Sequence, residues 1–182
     1  MAKTYTTVPS VSTGDIYEAS AYNTYTATNI SNLIVPPMCK LTASTTQSVA
    51  NSLDTLATLG TSEFDTDGMG TTGSSAKITI NTAGMYLVAY SMTFASSAGG
   101  TGRFATITKN GVGSTVGGTG YGWNWRPPAG GVTGVVAGTV MLTLSASDYL
   151  SLMVWQDSGG ALNISSLTAQ SWLSAVWVGR TS

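Results

Sequence analysis

Side chains that carry out chemistry are sparse in this chain of 182 residues. The sequence contains no histidine, which removes the commonest general base and the usual metal-ligating nitrogen. Nucleophilic mechanisms of the Ser-His-Asp and Cys-His types are therefore excluded. Acid–base work is left to carboxylates, and the close pair is Asp65 with Asp67. A hydrolase using this pair is one hypothesis, but the missing histidines and the total of only eight acidic residues argue against it.

The segment FDTDGM allows two further interpretations of Asp65 and Asp67, because both carboxylates come shortly before Gly68. Asp and Gly are typical of tight turns, which is the interpretation that the pattern favours. The order Asp-x-Asp-Gly also resembles the beginning of a calcium loop, which binds the ion through carboxylate oxygens. A calcium loop needs a glutamate at a fixed distance downstream, and none follows here. Ca²⁺ stays as the alternative, and no other cofactor is expected.

A second candidate site is aromatic. Tyr121, Trp123 and Trp125 alternate within a Gly-rich stretch, and Arg126 follows them. Such rings either stack on a ligand such as a sugar or pack down over the end of the domain, and both interpretations are open. The many glycines and two prolines make residues 116–134 a poor strand, so we predict a long ordered surface loop there.

Composition and charge exclude several classes of partner. Charged residues make up 8% of the chain, the net charge is −1, and the seven basic residues are spread singly. No nucleic-acid partner is expected, because no basic stripe exists to neutralise a run of phosphates. No membrane insertion is expected either, because no apolar run approaches the ~20 residues of a membrane span. Cys39, the single cysteine, is predicted to be a small buried hydrophobe.

Turn-forming residues recur at short intervals from Met38 onward, with alternating apolar and polar runs between them. Many short strands at such spacing are typical of a β-sandwich or barrel. Asn and Gly both tolerate the positive φ of a type I′ turn, so Asn110-Gly111 predicts a hairpin tip. The predicted turns are Asp67-Gly68, Thr82-Ala83-Gly84, Gly99-Gly100, Asn110-Gly111, Ser147-Asp148 and Ser158-Gly159-Gly160.

The stretch KITINTAGMYLVAYSMTF, residues 77–94, keeps its large apolar residues on even numbers straight through a turn. Because strand side chains alternate between faces, these residues predict the core face of two successive strands. After Gly84 the odd residues Met85, Leu87 and Ala89 are apolar too, so the second strand is apolar on both faces. A two-layer sandwich covers one face of each sheet, and we expect another copy of the chain to cover the other. The segment DYLSLMVW shows the same pattern, with Leu150, Leu152 and Val154 opposite Met153 and Trp155.

A family resemblance appears in the spacing IxIxxxGxYxVxY, formed by Ile78, Ile80, Gly84, Tyr86, Val88 and Tyr90. It resembles the signature of the globular head of the complement q subcomponent and its tumour-necrosis-factor-like relatives. VMLTLSASDYLSLMV, as two paired late strands, and SWLSAVWV, as a closing strand, continue the similarity. The resemblance implies an all-β jelly-roll β-sandwich of ten strands that assembles as a tight homotrimer. The residues assigned to the trimer interface or core are Tyr86, Leu87, Val88, Tyr90, Leu152, Val154 and Trp177.

The first 36 residues differ from the rest and are predicted to form an arm, with the jelly-roll head over residues 37–182. Pro36 and Pro37 force extended backbone and mark the boundary. A short helix is predicted before them, with Ser20 as its N-cap. GDIYEASAYNTYTATNISNLIVPP is similar to the opening of many bacteriophage structural proteins. The residues assigned to anchoring on the virion are Asp15, Tyr22, Tyr25 and Leu33.

Together these features predict a non-enzymatic bacteriophage virion structural protein, a homotrimeric projection on the exterior of the particle. A tail tip, tail fibre or head fibre of this kind would bind a glycan or protein on the host surface, and its arm would bind other virion proteins. Synthesis in the host cytoplasm is expected, because the N-terminus lacks the apolar core of a secretory signal. A capsid decoration protein is the alternative, with its binding energy in residues 1–36. A lectin-like secreted binding module is the alternative from another class.

Overall fold

The chain folds into an N-terminal arm with one helix, followed by a sandwich of two antiparallel β-sheets. The computed structural model describes residues 3, 5–10, 12–16, 18–115, 118–167 and 170–181. The arm helix consists of Ala19–Ala21 (α1), the π-helical stretch Tyr22–Ala27, and Thr28–Ile34 (α2). The strands are β1 (Met38–Thr42), β2 (Gln47–Val49), β3 (Thr55–Leu56), β4 (Thr61–Asp65), β5 (Gly70–Thr71), β6 (Lys77–Thr79), β7 (Gly84–Phe94), β8 (Arg103–Lys109), β9 (Tyr121–Arg126), β10 (Gly134–Leu144), β11 (Tyr149–Gln156), β12 (Leu162–Ile164) and β13 (Trp172–Gly179).

The strands form two sheets that enclose the core. Among the described residues, sheet A has seven strands in the order β2-β12-β7-β13-β1-β4, with β10 also paired to β7. Strand β10 runs antiparallel to β7 from Gly134 opposite Phe94 to Leu144 opposite Gly84. Sheet B has six strands in the order β5-β6-β11-β8-β9, with β3 also paired to β11. The all-β sandwich predicted from the turn spacing is therefore confirmed.

The even-numbered apolar residues between positions 77 and 95 form the centre of the core, and each is at most 1% exposed. Strand β6 lies in sheet B and β7 in sheet A, so the chain crosses between sheets at the intervening turn. Both inner faces point into one interior, which is why a single parity runs through the turn. The even-numbered set is Ile78, Ile80, Tyr86, Val88, Tyr90, Met92 and Phe94.

Cys39 is also fully buried, and burial raises the pKa of its thiol to about 12, so it is a buried hydrophobe as predicted.

Gly84 begins β7 at a point where no side chain fits. Its φ is +156°, and a Cβ there would lie 2.5 Å from the carbonyl oxygen of Gly179 and against the indole nitrogen of Trp177. A backbone carbonyl in a paired strand cannot move away cheaply, so glycine is needed for β13 to pack here. This contact gives a physical reason for the glycine in the IxIxxxGxYxVxY spacing.

Each predicted turn contains a residue with positive φ. Asn110 and Gly111 have φ of 54° and 75°, and the amides and carbonyls of Lys109 and Val112 exchange two hydrogen bonds of 3.2 and 2.9 Å. The tight turn predicted there is therefore confirmed, although the returning chain forms a strand only from Tyr121. The other turns contain Gly68 (66°), Gly84 (156°), Gly100 (82°), Ser147 (75°) and Gly159 (90°).

The prediction of one long loop over residues 116–134 is wrong, because this stretch contains β9. Ala105 lies opposite Asn124, but Ile107 lies opposite Tyr121, so β9 holds one extra residue there. Gly122, with φ of +59°, allows this bulge, and the alternating aromatic residues after it run beside β8. Residues 116 and 117 lie outside the described part of the chain.

The prediction that VMLTLSASDYLSLMV forms two paired strands is also wrong. Strand β10 belongs to sheet A and β11 to sheet B, and the turn between them crosses the core. This turn is held by Ile80, whose carbonyl accepts from the Ser147 amide and whose amide donates to the Asp148 carbonyl, at 2.8 and 2.7 Å. The described residues form thirteen strands rather than the ten that the resemblance implies, because short pieces such as β3 and β12 extend the sheets.

The arm helix begins at Ala19, one residue before the predicted N-cap. Glu18 is the cap residue, since its ψ of 154° is extended and its carbonyl accepts from the Tyr22 amide at 3.0 Å. The predicted N-cap, Ser20, lies within α1, so that prediction is wrong. Among the described residues, no side chain makes a capping hydrogen bond at this end.

The arm folds back onto one end of the sandwich through a set of contacts that we call the arm clasp. The ring of Tyr5 stacks on Trp177, with centroids 4.6 Å apart and an interplanar angle of 11°. The Tyr5 hydroxyl donates to the carbonyl of Asn32 at 3.0 Å. Asn29 accepts from the Thr6 amide and donates to the Thr6 carbonyl, at 3.0 and 2.6 Å. The clasp therefore ties the helix to the end of the sandwich where β7 begins, which we call the arm end.

An ionic tie at the arm end joins the turn after β8 to the turn before β11. The carboxylate of Asp148 lies 2.9 Å from the Lys109 ammonium and accepts from the Asn110 side chain and the Ser145 amide, at 2.7 and 2.8 Å. Burial alone would raise the pKa of Asp148, but these hydrogen bonds and the charge of Lys109 outweigh it and lower the pKa to about 2. The ionised carboxylate is therefore favoured by folding.

Asp148→Asn should lower the free energy of unfolding at pH 7 by about 1 to 2 kcal/mol, because the charged partner of Lys109 is lost. The folded pKa lies below the ordinary value near ~3.9, so this stabilisation is present above pH ~4 and is lost as the pH falls towards 2. Urea unfolding at pH 7, 4 and 2.5, at one protein concentration, should show the two proteins converging in acid. Equal stability at pH 7 would contradict this assignment.

Candidate functional site

Four aromatic side chains cluster on the outer face of sheet B, and we call this cluster the aromatic platform: Phe104, Trp123, Trp125 and Trp155. The ring centroid of Phe104 lies 5.5 Å from that of Trp123, 6.3 Å from that of Trp125 and 5.0 Å from that of Trp155. Edge-to-face and tilted arrangements at these distances stabilise aromatic pairs. Trp123 and Trp125 are 43% and 42% exposed, so their rings are open to solvent.

Strand register brings the platform together. Phe104 of β8 lies opposite Trp125 of β9 on one side and Trp155 of β11 on the other, and directly paired residues share a face. Trp123 follows the bulge and shares the face of Trp125, two residues further along. Alternation in β11 already placed Trp155 opposite the core residues, but only the strand pairing connects it to β9. Sequence analysis named neither Phe104 nor Trp155 as a site residue, because it expected another copy of the chain to cover the outer face of β11. In the structure Phe104 of the same chain packs edge-on against Trp155 on that face.

Hydrogen bonds fix the strands under the platform. The indole N–H of Trp123 donates to the carbonyl of Thr115 at 2.7 Å. The Tyr90 hydroxyl, in the core, lies 2.7 Å from the carbonyl of Gly122 and 2.8 Å from that of Ala105. The indole nitrogen of Trp155 is buried, and no described residue accepts a hydrogen bond from it. The platform therefore has little freedom to rearrange.

The two other residues predicted with the tryptophans lie on the opposite face of β9 from the platform, because they pair with the buried residues Ile107 and Arg103. Tyr121 is 40% exposed and sits before the bulge, opposite Ile107. Arg126 is exposed at the last position of β9, opposite Arg103. Arg103 itself is 2% exposed and donates to the carbonyls of Gly102 and Gly99, so it supports the loop behind the platform and does not reach solvent.

The platform and the arm lie at opposite ends of the sandwich. Strand β11 begins at the arm end, where the Asp148 carbonyl accepts from the Ile80 amide at 2.7 Å. Trp155 is six residues beyond Tyr149, which corresponds to ~20 Å along a strand. Phe104 and Trp125 are paired at the same level. The platform is therefore near the end of the head that points away from the arm.

Asp65 and Asp67 serve a turn at the arm end. Asp65 accepts from the amides of Asp67, Met69 and Gly70, at 3.2, 2.9 and 2.8 Å. Asp67 is 1% exposed and accepts from the Thr82 hydroxyl at 3.0 Å. Burial raises the pKa of Asp67, and the Thr82 hydrogen bond works against that rise. These contacts favour the turn interpretation over a hydrolase or Ca²⁺ site, and the described residues contain no cluster of three or more potential metal ligands.

The outer face of sheet A carries a second surface, which we call the sheet A face: Phe64, Leu87, Val135, Met141 and Val178. These side chains are between 37% and 55% exposed, and strand pairing places Leu87 directly beside Met141. Of the seven residues assigned to the interface or core, Leu87 is the one on this surface. The other six are core residues, each at most 6% exposed: Tyr86, Val88, Tyr90, Leu152, Val154 and Trp177.

The four residues assigned to virion anchoring lie in the arm. Tyr22 and Leu33 are 50% and 59% exposed on the arm helix, and Tyr25 is partly buried. Asp15 lies before the helix, where its carboxylate accepts from the Ser12 amide at 2.6 Å. The helix also exposes Ile30, Ile34 and the adjacent Val35. No helix in the described part of the chain has the length and apolar character that a membrane span requires.

The two packed sheets have the jelly-roll fold of tumour-necrosis-factor-family and complement C1q globular domains, which confirms the predicted fold class. Similar structures include Eiger TNF from S. frugiperda, with a TM-score of 0.62, 11% identity, and coverage of 80% of this chain and 96% of that one. The globular domain of zebrafish complement 1qA gives 0.56, 12%, 80% and 99%, and murine APRIL at pH 8.0 gives 0.59, 12%, 78% and 98%. No protein-family model and no curated protein matches the sequence.

Proposed function

We propose that this protein is a non-enzymatic, homotrimeric binding module on the exterior of a bacteriophage virion. The observation that carries the proposal is the sheet A face, an exposed apolar surface on a sheet whose other side is already covered by the core. Exposed apolar surface of this kind, with Leu87 and Met141 directly paired, marks an interaction site. A homotrimer is the assembly that the complement q and tumour-necrosis-factor resemblance implies, and copies of the same chain supply equally apolar surfaces.

Strand β10 supports the same proposal. It is the edge partner of β7 over eleven residues, and Val135 and Met141, at 39% and 55% exposure, project from it on the sheet A face. A long, apolar edge region is an aggregation hazard unless something covers it. A closed trimer covers this region in each subunit and leaves no copy free to extend the assembly.

The two ends of the head are assigned different binding partners. The arm end carries the apolar helix surface, so we assign binding to other virion proteins to the arm. The far end points away from the arm, so we assign attachment to a glycan or protein of the host surface to the head. The similarity of GDIYEASAYNTYTATNISNLIVPP to bacteriophage structural proteins supports the virion location, and synthesis in the host cytoplasm follows from it.

A capsid decoration protein is the second candidate, because exposed apolar residues are also concentrated in the arm. Ile30, Leu33 and Ile34 are 49%, 59% and 73% exposed on the last two turns of the helix. In that case the arm would supply the main binding energy, and the head would only cover the particle. A secreted lectin-like module would need no such arm surface.

Light scattering on the purified full-length chain tests the assembly. We expect a mass three times the 18.6 kDa of one chain, stable on dilution into the low micromolar range. The same measurement in 1 M salt should give the same mass, because apolar contacts are not screened. A monomeric mass under both conditions would overturn the proposed assembly.

A further inference from the structure

We propose that the aromatic platform binds neutral pyranose sugars by stacking, with Trp123 and Trp125 as the contact rings. The inference deepens the proposed function, on which it rests, by assigning the host-surface ligand a chemical class and a site. Sheet A and sheet B turn their outer faces in opposite directions, since both inner faces enclose one core. When copies cover the sheet A face, the platform of each subunit therefore remains on the outside of the trimer.

The size of the platform favours a sugar over a protein. Fully burying a tryptophan removes ~150–250 Å² from solvent, so two indoles that are 43% and 42% exposed offer on the order of 200 Å². A stable protein interface needs ~800 Å² on each partner, several times more than this. One or two sugar rings, whose C–H faces stack on aromatic rings, need no larger surface.

The spacing of the two indoles suits successive rings of one glycan. Trp123 and Trp125 are two residues apart on a strand, so they rise on the same face ~7 Å apart. Their neighbours hold them in place: Phe104 packs against both, and the Trp123 indole N–H is engaged by Thr115. Rings already fixed in the free protein lose little conformational entropy on binding, which favours even a weak ligand.

The charges near the platform favour a neutral ligand. Arg126 is exposed at the end of β9, but it follows Trp125 directly along the strand and therefore projects from the opposite face. Arg103 is buried, and its guanidinium lies 3.6 Å from the Asp157 carboxylate, so it does not act on a ligand. Lys109 is paired with Asp148 at the arm end. None of these three basic side chains projects from the face that carries the platform, which suits an uncharged glycan better than a polyanion.

Three such sites on one trimer would act together. A stacking contact with two rings gives an affinity in the millimolar range, corresponding to about −4 kcal/mol. Engagement of a second and third site on the same surface occurs at high effective concentration and can raise the overall affinity by ~10²–10⁴. A repeated surface glycan would therefore be held firmly by sites that are weak singly.

NMR line broadening of the sugar protons in cellohexaose and chitohexaose, measured with the full-length protein at increasing sugar concentration, tests the site and does not depend on the tryptophans as reporters. At least one of these neutral oligosaccharides should give a saturable change with a dissociation constant on the order of 1 mM. Trp123→Leu with Trp125→Leu should weaken binding at least tenfold, because the apolar bulk remains but the π face is lost. Trp123→Phe with Trp125→Phe should keep binding within about threefold. The matched control is Val112→Ala, which removes a 71% exposed apolar side chain elsewhere on the head and should bind like wild type.

Two results would overturn the inference: no saturable change with either sugar up to about 10 mM, or equal binding by the double leucine variant. A cell-attachment assay gives a third such result. If attachment to bacterial cells survives periodate oxidation of their surface sugars but is lost on protease treatment, the platform binds a protein and the sugar inference is overturned. The mass of each sample by light scattering separates the two proposals. A trimeric protein that binds no sugar would contradict only the proposed sugar site. A monomeric protein would contradict the proposed assembly.

Discussion

Leu87→Asp should convert the proposed trimer into a folded monomer. Leu87 is 40% exposed in the first half of β7, between Val176 of β13 and Met141 of β10, so its side chain stands on the sheet A face with paired strands on both sides. In one isolated chain an aspartate there would remain solvated, and the fold would keep its core. In the trimer three carboxylates would be buried without partners, each at a cost of several kcal/mol.

Light scattering and circular dichroism together measure this effect. We expect the variant to have the mass of one chain and the β-sheet spectrum of wild type. The matched control is Leu53→Asp, since Leu53 is 58% exposed but lies outside the strands of sheet A. It should remain a trimer. A trimeric Leu87→Asp protein would place the subunit contacts on another surface.

Leu152→Asp provides the contrast that separates assembly from folding. Leu152 is 1% exposed in β11 and faces the core, although the sequence alone grouped it with Leu87. Leaving a charge unpaired there should lower stability by about 3 to 5 kcal/mol or prevent folding. The expected product is aggregated or unfolded protein rather than a folded monomer. Leu87→Asp should therefore disrupt assembly, whereas Leu152→Asp should disrupt folding.

The sequence predicted correctly those parts of the fold that depend only on neighbouring residues. The even-numbered residues from Ile78 to Phe94 identify the core face because alternation depends only on neighbouring positions. Turn residues such as Asn110 and Gly111 are equally local, because their side chains decide which φ values are accessible. Strand pairing is not local, and the mistaken pairing of β10 with β11 shows the limit. A short turn at Ser147 can either form a hairpin or cross between sheets.

The candidate site was only half predictable for the same reason. Trp123 and Trp125 stand out in the sequence, but their glycine-rich surroundings indicate a loop, and only the bulge at Gly122 makes the strand possible. Phe104 joins them through its register with β9, and Trp155 through its register with β8. The arm clasp is similar, since Tyr5 and Trp177 lie at opposite ends of the chain. Such contacts depend on the assembled fold.

On the proposed virion role, Ile30→Lys combined with Leu33→Lys should abolish incorporation of the protein into virus particles while leaving the proposed trimer folded. The two side chains are 49% and 59% exposed and lie three residues apart on the arm helix, where they form neighbouring parts of its apolar surface. Lysines near the C-terminal end of a helix are compatible with its dipole, so the helix should persist. A docking surface that has become cationic would no longer bury itself against another virion protein.

The measurement is the amount of variant protein in purified particles, compared with the amount of free trimer in the lysate. The matched control is Val112→Lys, which places a cation on an exposed apolar residue of the head, 71% exposed, and should be incorporated normally. Incorporation of the arm variant at the wild-type level would contradict anchoring by the arm.

A chain that starts at Pro37 should also fail to incorporate, and it should unfold at a lower temperature because Tyr5 no longer covers Trp177.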